Sequence, residues 1–135
     1  MAQKIKYLAV ATGEAENNFL GFLDAEMNFL RKIKFKAQTS EEFFAKWRQK
    51  VKLCTLAKLS GIIVHQGAGT YSGLRLSSVV ANAIKIAYPQ IKLFSIRAEN
   101  LKNFLDLIES KKWGKAEKFI LPQYPALPSI TQPKK

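Results

Sequence analysis

Residues Gly61 to Ala87, GIIVHQGAGTYSGLRLSSVVANAIKIA, constrain the fold of this chain more than any other stretch. The apolar run Gly61-Ile62-Ile63-Val64 has the length and β-branched content of a buried strand. It breaks at Gln66-Gly67-Ala68-Gly69-Thr70 and resumes as a helical pattern from about Gly73 to Ala87. Strand, glycine turn and helix in that order aim backbone N–H groups at a helix N-terminus, where an anion can sit. Three well-known versions of this geometry fail on spacing. A phosphate-gripping P-loop ends in Gly-Lys-Ser/Thr, and the first lysine after this turn is Lys85. The dinucleotide fingerprint requires Gly-x-Gly-x-x-Gly, whereas Ser72 stands where the third glycine belongs and Gly73 follows it. A nucleophile elbow needs Gly-x-Ser-x-Gly, and no serine here has glycines at that spacing.

A length of 135 residues with 47% apolar content predicts one domain with one core. No apolar run approaches the ~20 residues that span a bilayer. The expectation is a cytoplasmic protein, with no signal peptide ahead of Met1-Ala2-Gln3-Lys4. One cysteine, Cys54, and one histidine, His65, exclude an internal disulfide and a tetrahedral Cys/His metal site. No metal and no cofactor is expected. Lys and Arg number 22 against 10 Asp and Glu, a net charge of +12 that suits a phosphate-rich partner, nucleic acid ahead of membrane. The lysines read as dispersed, so a purely solubilising role stands beside that reading.

In chain order, Lys4 to Ala11 reads as a central strand and Thr12 to Asn18 as turn chemistry. Phe19 to Leu23 is a second strand, and Asp24-Ala25-Glu26 its turn. Met27 to Lys36 is a third strand, with Phe29, Arg31, Ile33 and Phe35 on one side and lysines mostly on the other, as suits an edge. Thr39 with Glu42 forms a capping box that opens a helix. One face of that helix carries Phe43, Phe44, Trp47, Val51 and Cys54, which makes Cys54 a core filler. After the glycine-turn helix, which Tyr88-Pro89 ends, come a strand at Ile91 to Ile96 and a helix from Ala98 to about Lys112. Phe119-Ile120-Leu121 is a candidate short strand, and the proline-bearing residues 122–135 read as an extended basic tail. His65 reads as a structural histidine, since no acid or nucleophile is patterned beside it. Trp113, among Lys111, Lys112 and Lys115, either closes the last helix on the sheet or stacks on a base. The order is β-β-β-α-β-α-β-α, an α/β fold with one mixed five-stranded sheet.

Gly67-Ala68-Gly69-Thr70-Tyr71-Ser72-Gly73-Leu74-Arg75 resembles the Gly-Pro-Gly-Ser-Phe-Thr-Gly-Leu-Arg signature of the TsaB (YeaZ) family. The resemblance implies a single ribonuclease-H-like (actin-like/ASKHA) unit, with residues 1–121 as its N-terminal lobe. It also implies a non-catalytic subunit that supports a TsaD-type enzyme in making threonylcarbamoyladenosine on tRNA. The partners implied are the TsaD-type subunit in a heterodimer or larger complex, a TsaE-type ATPase, tRNA through the complex, and a second copy when the chain is alone. The pairing helices of the family correspond to Thr39–Ala57 and Gly73–Ala87. Two departures point away from catalysis. Val10-Ala11-Thr12 carries alanine where actin-like nucleotide binders carry aspartate, and Thr39-Ser40-Glu41 lacks the family's histidine in His-Ser-Glu. The family also continues into a second lobe, and Pro122-Gln123-Tyr124-Pro125-Ala126-Leu127-Pro128 resembles its Pro-x-Tyr-x-x-x-Pro ending.

The helix after the glycine turn carries a second signal. Leu76, Val80, Ala83 and Ala87, flanked by Val79 and Ile84, read as the sheet-packing face. The opposite face, Leu74, Ser78, Ala81, Asn82 and Lys85 with Tyr71 ahead of it, is small and nearly uncharged, as if covered by another helix. Arg75 sits in the first turn, where the dipole disfavours a cation, so it reads as facing a carboxylate or phosphate of a partner. Tyr71, Leu74, Arg75, Ser78, Ala81, Asn82 and Lys85 are therefore the expected partner-binding residues, with Gly67, Gly69, Thr70, Ser72 and Gly73 as the motif loop. A stand-alone basic RNA-binding module and a small nucleotide-binding enzyme are the alternatives.

Overall fold

The computed structural model describes residues 4–14, 17–37, 39–67, 71–111 and 113–121. Strands β1 (Tyr7–Glu14), β2 (Asn17–Leu23) and β3 (Phe29–Lys36) form an antiparallel meander. Helices α1 (Ser40–Lys50) and α2 (Leu53–Lys58) lead to β4 (Gly61–Gln66). Helix α3 (Tyr71–Ala87) then crosses to β5 (Lys92–Arg97), and α4 (Leu101–Glu109) follows. The sheet order is β3-β2-β1-β4-β5, with β4 parallel to both of its neighbours.

The central strands are apolar on both sides because both faces are covered. Leu8, Val10, Leu20, Phe22, Ile62, Val64 and Leu93 face α1, α2 and α3. Ala9, Ala11, Phe19, Leu23, Ile63 and Ile96 face α4, which buries Phe104 and Ile108 against them. Among the described residues no helix is long and apolar enough to cross a membrane.

Several sequence expectations change in the structure. β1 runs on through the expected turn to Glu14, with a register shift after Ala11. β3 begins at Phe29, because Met27 takes a positive φ of 70° in the preceding turn. A register shift also separates the Phe22–Arg31 and Leu23–Phe29 pairs. It sends Phe29 to the α4 side while Ile33 and Phe35 face α1, so the single-sided pattern fails there. Gly21 leaves room for this, since a Cβ there would stand 2.4 Å from the Phe29 ring.

Thr39 caps α1 as its spacing predicts, its hydroxyl accepting from the Glu42 N–H at 3.1 Å. The helix does not continue to Ala57. Val51 turns extended (φ −121°, ψ 111°) and α2 restarts from Lys52 without a side-chain cap. Cys54 consequently lies exposed on α2 and is not the core filler its helical phase suggests. Asn100 caps α4, which is shorter than the expected Ala98–Lys112 span. In place of a strand at 119–121, residues 113–121 form a strap joined to β5 by a single antiparallel bridge, Leu93 to Glu117. The proposed tail at 122–135 lies outside the described residues.

Candidate functional site

The glycine turn leaves β4 at Gly67, whose φ of +85° suits glycine. A Cβ there would also meet the Arg97 Cγ at 2.6 Å. Gly67→Ala is expected to lower stability by about 1–2 kcal/mol through the left-handed backbone alone, read from the midpoint of a urea titration. Gly69 and Thr70 lie outside the described residues, and Tyr71 and Ser72 open α3. The Thr12 hydroxyl, at the end of β1, donates to the Gly73 carbonyl and pins the first turn of α3 over the sheet.

The polar side chains at the carboxyl ends of the parallel strands are bonded to the chain's own backbone. Thr12 holds Gly73, and Gln66 Nε2 donates to the Leu121 carbonyl at 2.9 Å. The His65 Nε2 lies 3.0 Å from the Ala98 carbonyl, with its ring stacked 4.7 Å from Phe104. His65 is thus a buried structural histidine. Ala11, where a phosphate-organising carboxylate would stand, is buried among apolar residues. Among the described residues no group of three His, Cys, Asp or Glu is placed to hold a metal ion.

The orientation of α3 corrects part of the expected assignment of its faces: Val80 and Ile84 are buried and Leu76 packs on the core as expected, whereas Ala83 and Ala87 are exposed. Leu74 and Ala81 are 0% exposed and Ser78 is 1% exposed, packed inside their own chain and not presented to a partner. The serines mislead because their hydroxyls need no outside partner. Ser77 and Ser78 both donate to the Leu74 carbonyl, at 3.1 and 3.0 Å, so burying them costs little. Small residues here let the helix sit close on the sheet, the role sequence reasoning assigned to another helix. Asn82 and Lys85 are half-buried and likewise engaged within the chain. Lys85 Nζ donates to the Pro89 and Ile91 carbonyls at 2.7 and 2.6 Å, closing the helix's C-terminal end. Arg75 is exposed.

The outward face of α3 is Arg75, Val79, Ala83, Ile86 and Ala87. Val79 is 58% exposed and Ile86 81% exposed, although α3 carries only two charged residues, Arg75 and Lys85. A helix apolar on most sides belongs between two layers, and the described residues supply only one. That surplus of apolar residues was the readable signal for both; sequence reasoning placed Val79 beside the inner face and gave Ile86 no place.

The strap extends this strip. Trp113 packs edge-on against Phe94 and Tyr7, with centroids 4.6 and 6.3 Å away, which decides for closing the sheet over stacking on a base. The chain then rounds the edge of β5, where the Glu117 N–H bonds the Leu93 carbonyl at 2.7 Å and the Glu117 carboxylate accepts from Ser95 at 2.6 Å. Ile120 enters the α3-side core. Asn82 bonds both the carbonyl and the N–H of Ile120, at 2.9 and 2.6 Å. Phe119 and Leu121, on either side of that clamp, point outward at 56% and 63% exposure. Asn82 lies one helical turn from Val79 and from Ile86, so helix and strap together present one apolar surface. Asn82→Ala leaves both Ile120 backbone groups without their partner. A loss of about 1–3 kcal/mol is expected in chemical denaturation.

No protein-family model and no curated protein matches this sequence. Solved structures do match its fold. One is a Pseudomonas aeruginosa protein described as having similarity to the peptidase YeaZ, at 16% identity and a TM-score of 0.52, covering 69% of this chain and 43% of that one. Another is YeaZ from Pseudomonas aeruginosa, at 17% identity and a TM-score of 0.51, covering 67% of this chain and 42% of that one. The chain therefore spans less than half the length of either protein. At these identities the likeness is one of fold: a YeaZ-like, mixed five-stranded α/β sheet, consistent with a single actin-like unit.

Proposed function

We propose that this chain is a non-catalytic partner subunit that docks a TsaD-type protein through the outward strip of α3 and thereby supports threonylcarbamoyladenosine modification of tRNA. The YeaZ-like fold and the Gly67–Arg75 motif supply the family context. The observation that carries the reading is the exposed apolar strip Val79–Ile86, widened by Phe119 and Leu121. Four of the five large apolar side chains exposed among the described residues lie on this surface; the fifth is Phe44. A contiguous apolar patch on a folded domain marks an interaction surface. Arg75 at its end is available to a carboxylate of the partner.

A non-catalytic role is favoured by how the strand ends are used. Thr12, His65 and Gln66 are bonded to backbone carbonyls, and Ala11 provides no carboxylate. We assign residues 1–121 to the docking lobe and 122–135 to a basic extension of it. The test is co-purification of the chain with a TsaD-type protein, wild type against Ile86→Glu. Association that survives the substitution removes the proposed surface, and no association of the wild type removes the reading.

A further inference from the structure

The positive charge of this chain is densest at one end of the fold, where residues 29–58 match the net +7 of the far longer stretch 59–135. Residues 29–58 carry nine Lys and Arg against two Glu, a net +7 of the chain's +12. They build β3, α1 and α2, and β3 is the sheet edge opposite β5 and its strap. Lys32, Lys34 and Lys36 are all exposed and share the side of β3 turned away from α1. Two residues along a strand is about 7 Å. Each strand of a nucleic acid duplex carries a dense and regular row of phosphates, which a regular row of cations suits.

The other side of the same edge adds to it. Arg31 is exposed there, and α1 brings Lys46, whose ammonium donates to the Lys36 carbonyl at 2.7 Å. Lys50 sits 5.7 Å from the Phe35 ring centre, and Arg48 and Lys52 are exposed. The two carboxylates of this stretch, Glu41 and Glu42, both lie in the first turn of α1. Phe35, Phe43 and Trp47 are buried, and Phe44, exposed on α1 at 39%, packs edge-on against Phe43, so this edge offers mainly charge and little platform for stacking bases. The exposed apolar strip that a membrane surface would take up lies at the α3 and strap end.

We propose that the β3–α1 edge binds the phosphate backbone of structured nucleic acid, by charge and without reading bases. This does not rest on a TsaD-type partner, because the surface lies at the other end of the sheet and the chain alone is enough to test it. Anisotropy of a labelled RNA hairpin is measured across roughly 50 to 200 mM salt. Wild-type affinity is expected to fall linearly on a log–log plot. The triple variant Lys32→Glu/Lys34→Glu/Lys36→Glu is expected to lose about 3 from that slope, about one per phosphate contact. Lys92→Glu/Lys115→Glu/Lys118→Glu makes the same charge change at exposed sites elsewhere and is expected to keep the slope. Circular dichroism checks folding, and the glutamine version of the first triple variant is read if glutamates unfold the edge. Equal loss in both triple variants, no wild-type binding at the lowest salt, or tighter binding to phosphatidylserine vesicles than to the hairpin would overturn the proposal.

Discussion

Ala81→Arg is expected to abolish folding, and Leu74→Glu to come close to it. Both side chains are 0% exposed, and Ala81 lies in the core that α3 shares with the sheet. An arginine there adds bulk to a close helix–sheet contact and brings a charge with no counter-ion. Overpacking costs about 1–3 kcal/mol, and an unpaired buried charge costs about 3–5 kcal/mol. Together these rival the roughly 5–15 kcal/mol that holds a domain of this kind together. Urea denaturation followed by circular dichroism measures the effect. A cooperative transition within about 1 kcal/mol of wild type would mean that α3 is rotated about its axis relative to this structure. Read as an outward helix face, these positions would serve as probes of a partner contact. In this fold, any association lost on changing them reports unfolding.

Ile86→Glu combined with Val79→Glu is expected to do the reverse. Both side chains are largely in solvent, so folding stability should move by no more than about 0.5 kcal/mol per substitution. Apolar residues at the centre of an interface contribute on the hot-spot scale of about 2 kcal/mol or more, or at least about thirtyfold in affinity. Two carboxylates on the strip should therefore remove association with a TsaD-type protein while leaving the thermal transition in place. Loss of folding with loss of binding would place these residues in the core. Retained binding would place the partner elsewhere.

Much of the fold was legible because local chemistry dictated it. The meander, the Thr39 cap and the strand–turn–helix at Gly61–Ala87 each rest on patterns read within a few residues. What failed depended on contacts remote in sequence. Nothing in Val51-Lys52-Leu53 breaks a helix by propensity, yet the chain turns there and carries Cys54 out to solvent. Phe29 changes sides through a register shift against β2, which no period-two pattern reveals. Val80 and Ile84 are inward as expected, but Ser78 and its neighbours Leu74 and Ala81 were placed outward because serine counts as polar on a helical wheel, whereas Ser77 and Ser78 satisfy themselves on Leu74. Phe119-Ile120-Leu121, a candidate short strand in the sequence, belongs to the strap, since the Asn82–Ile120 clamp joins residues 38 apart. Of the expected partner surface, Arg75 remains outward, and its apolar neighbours are Val79 and Ile86 in place of Leu74 and Ala81.

Native mass measurement of the chain mixed with a TsaD-type protein, wild type against Ile86→Glu, addresses the outward strip of α3 most directly. The expected spectrum has a hetero-complex for the wild type and separate subunits for the variant, both chains folded. A complex of equal abundance in the two mixtures, or none in either, would contradict the role assigned to that strip.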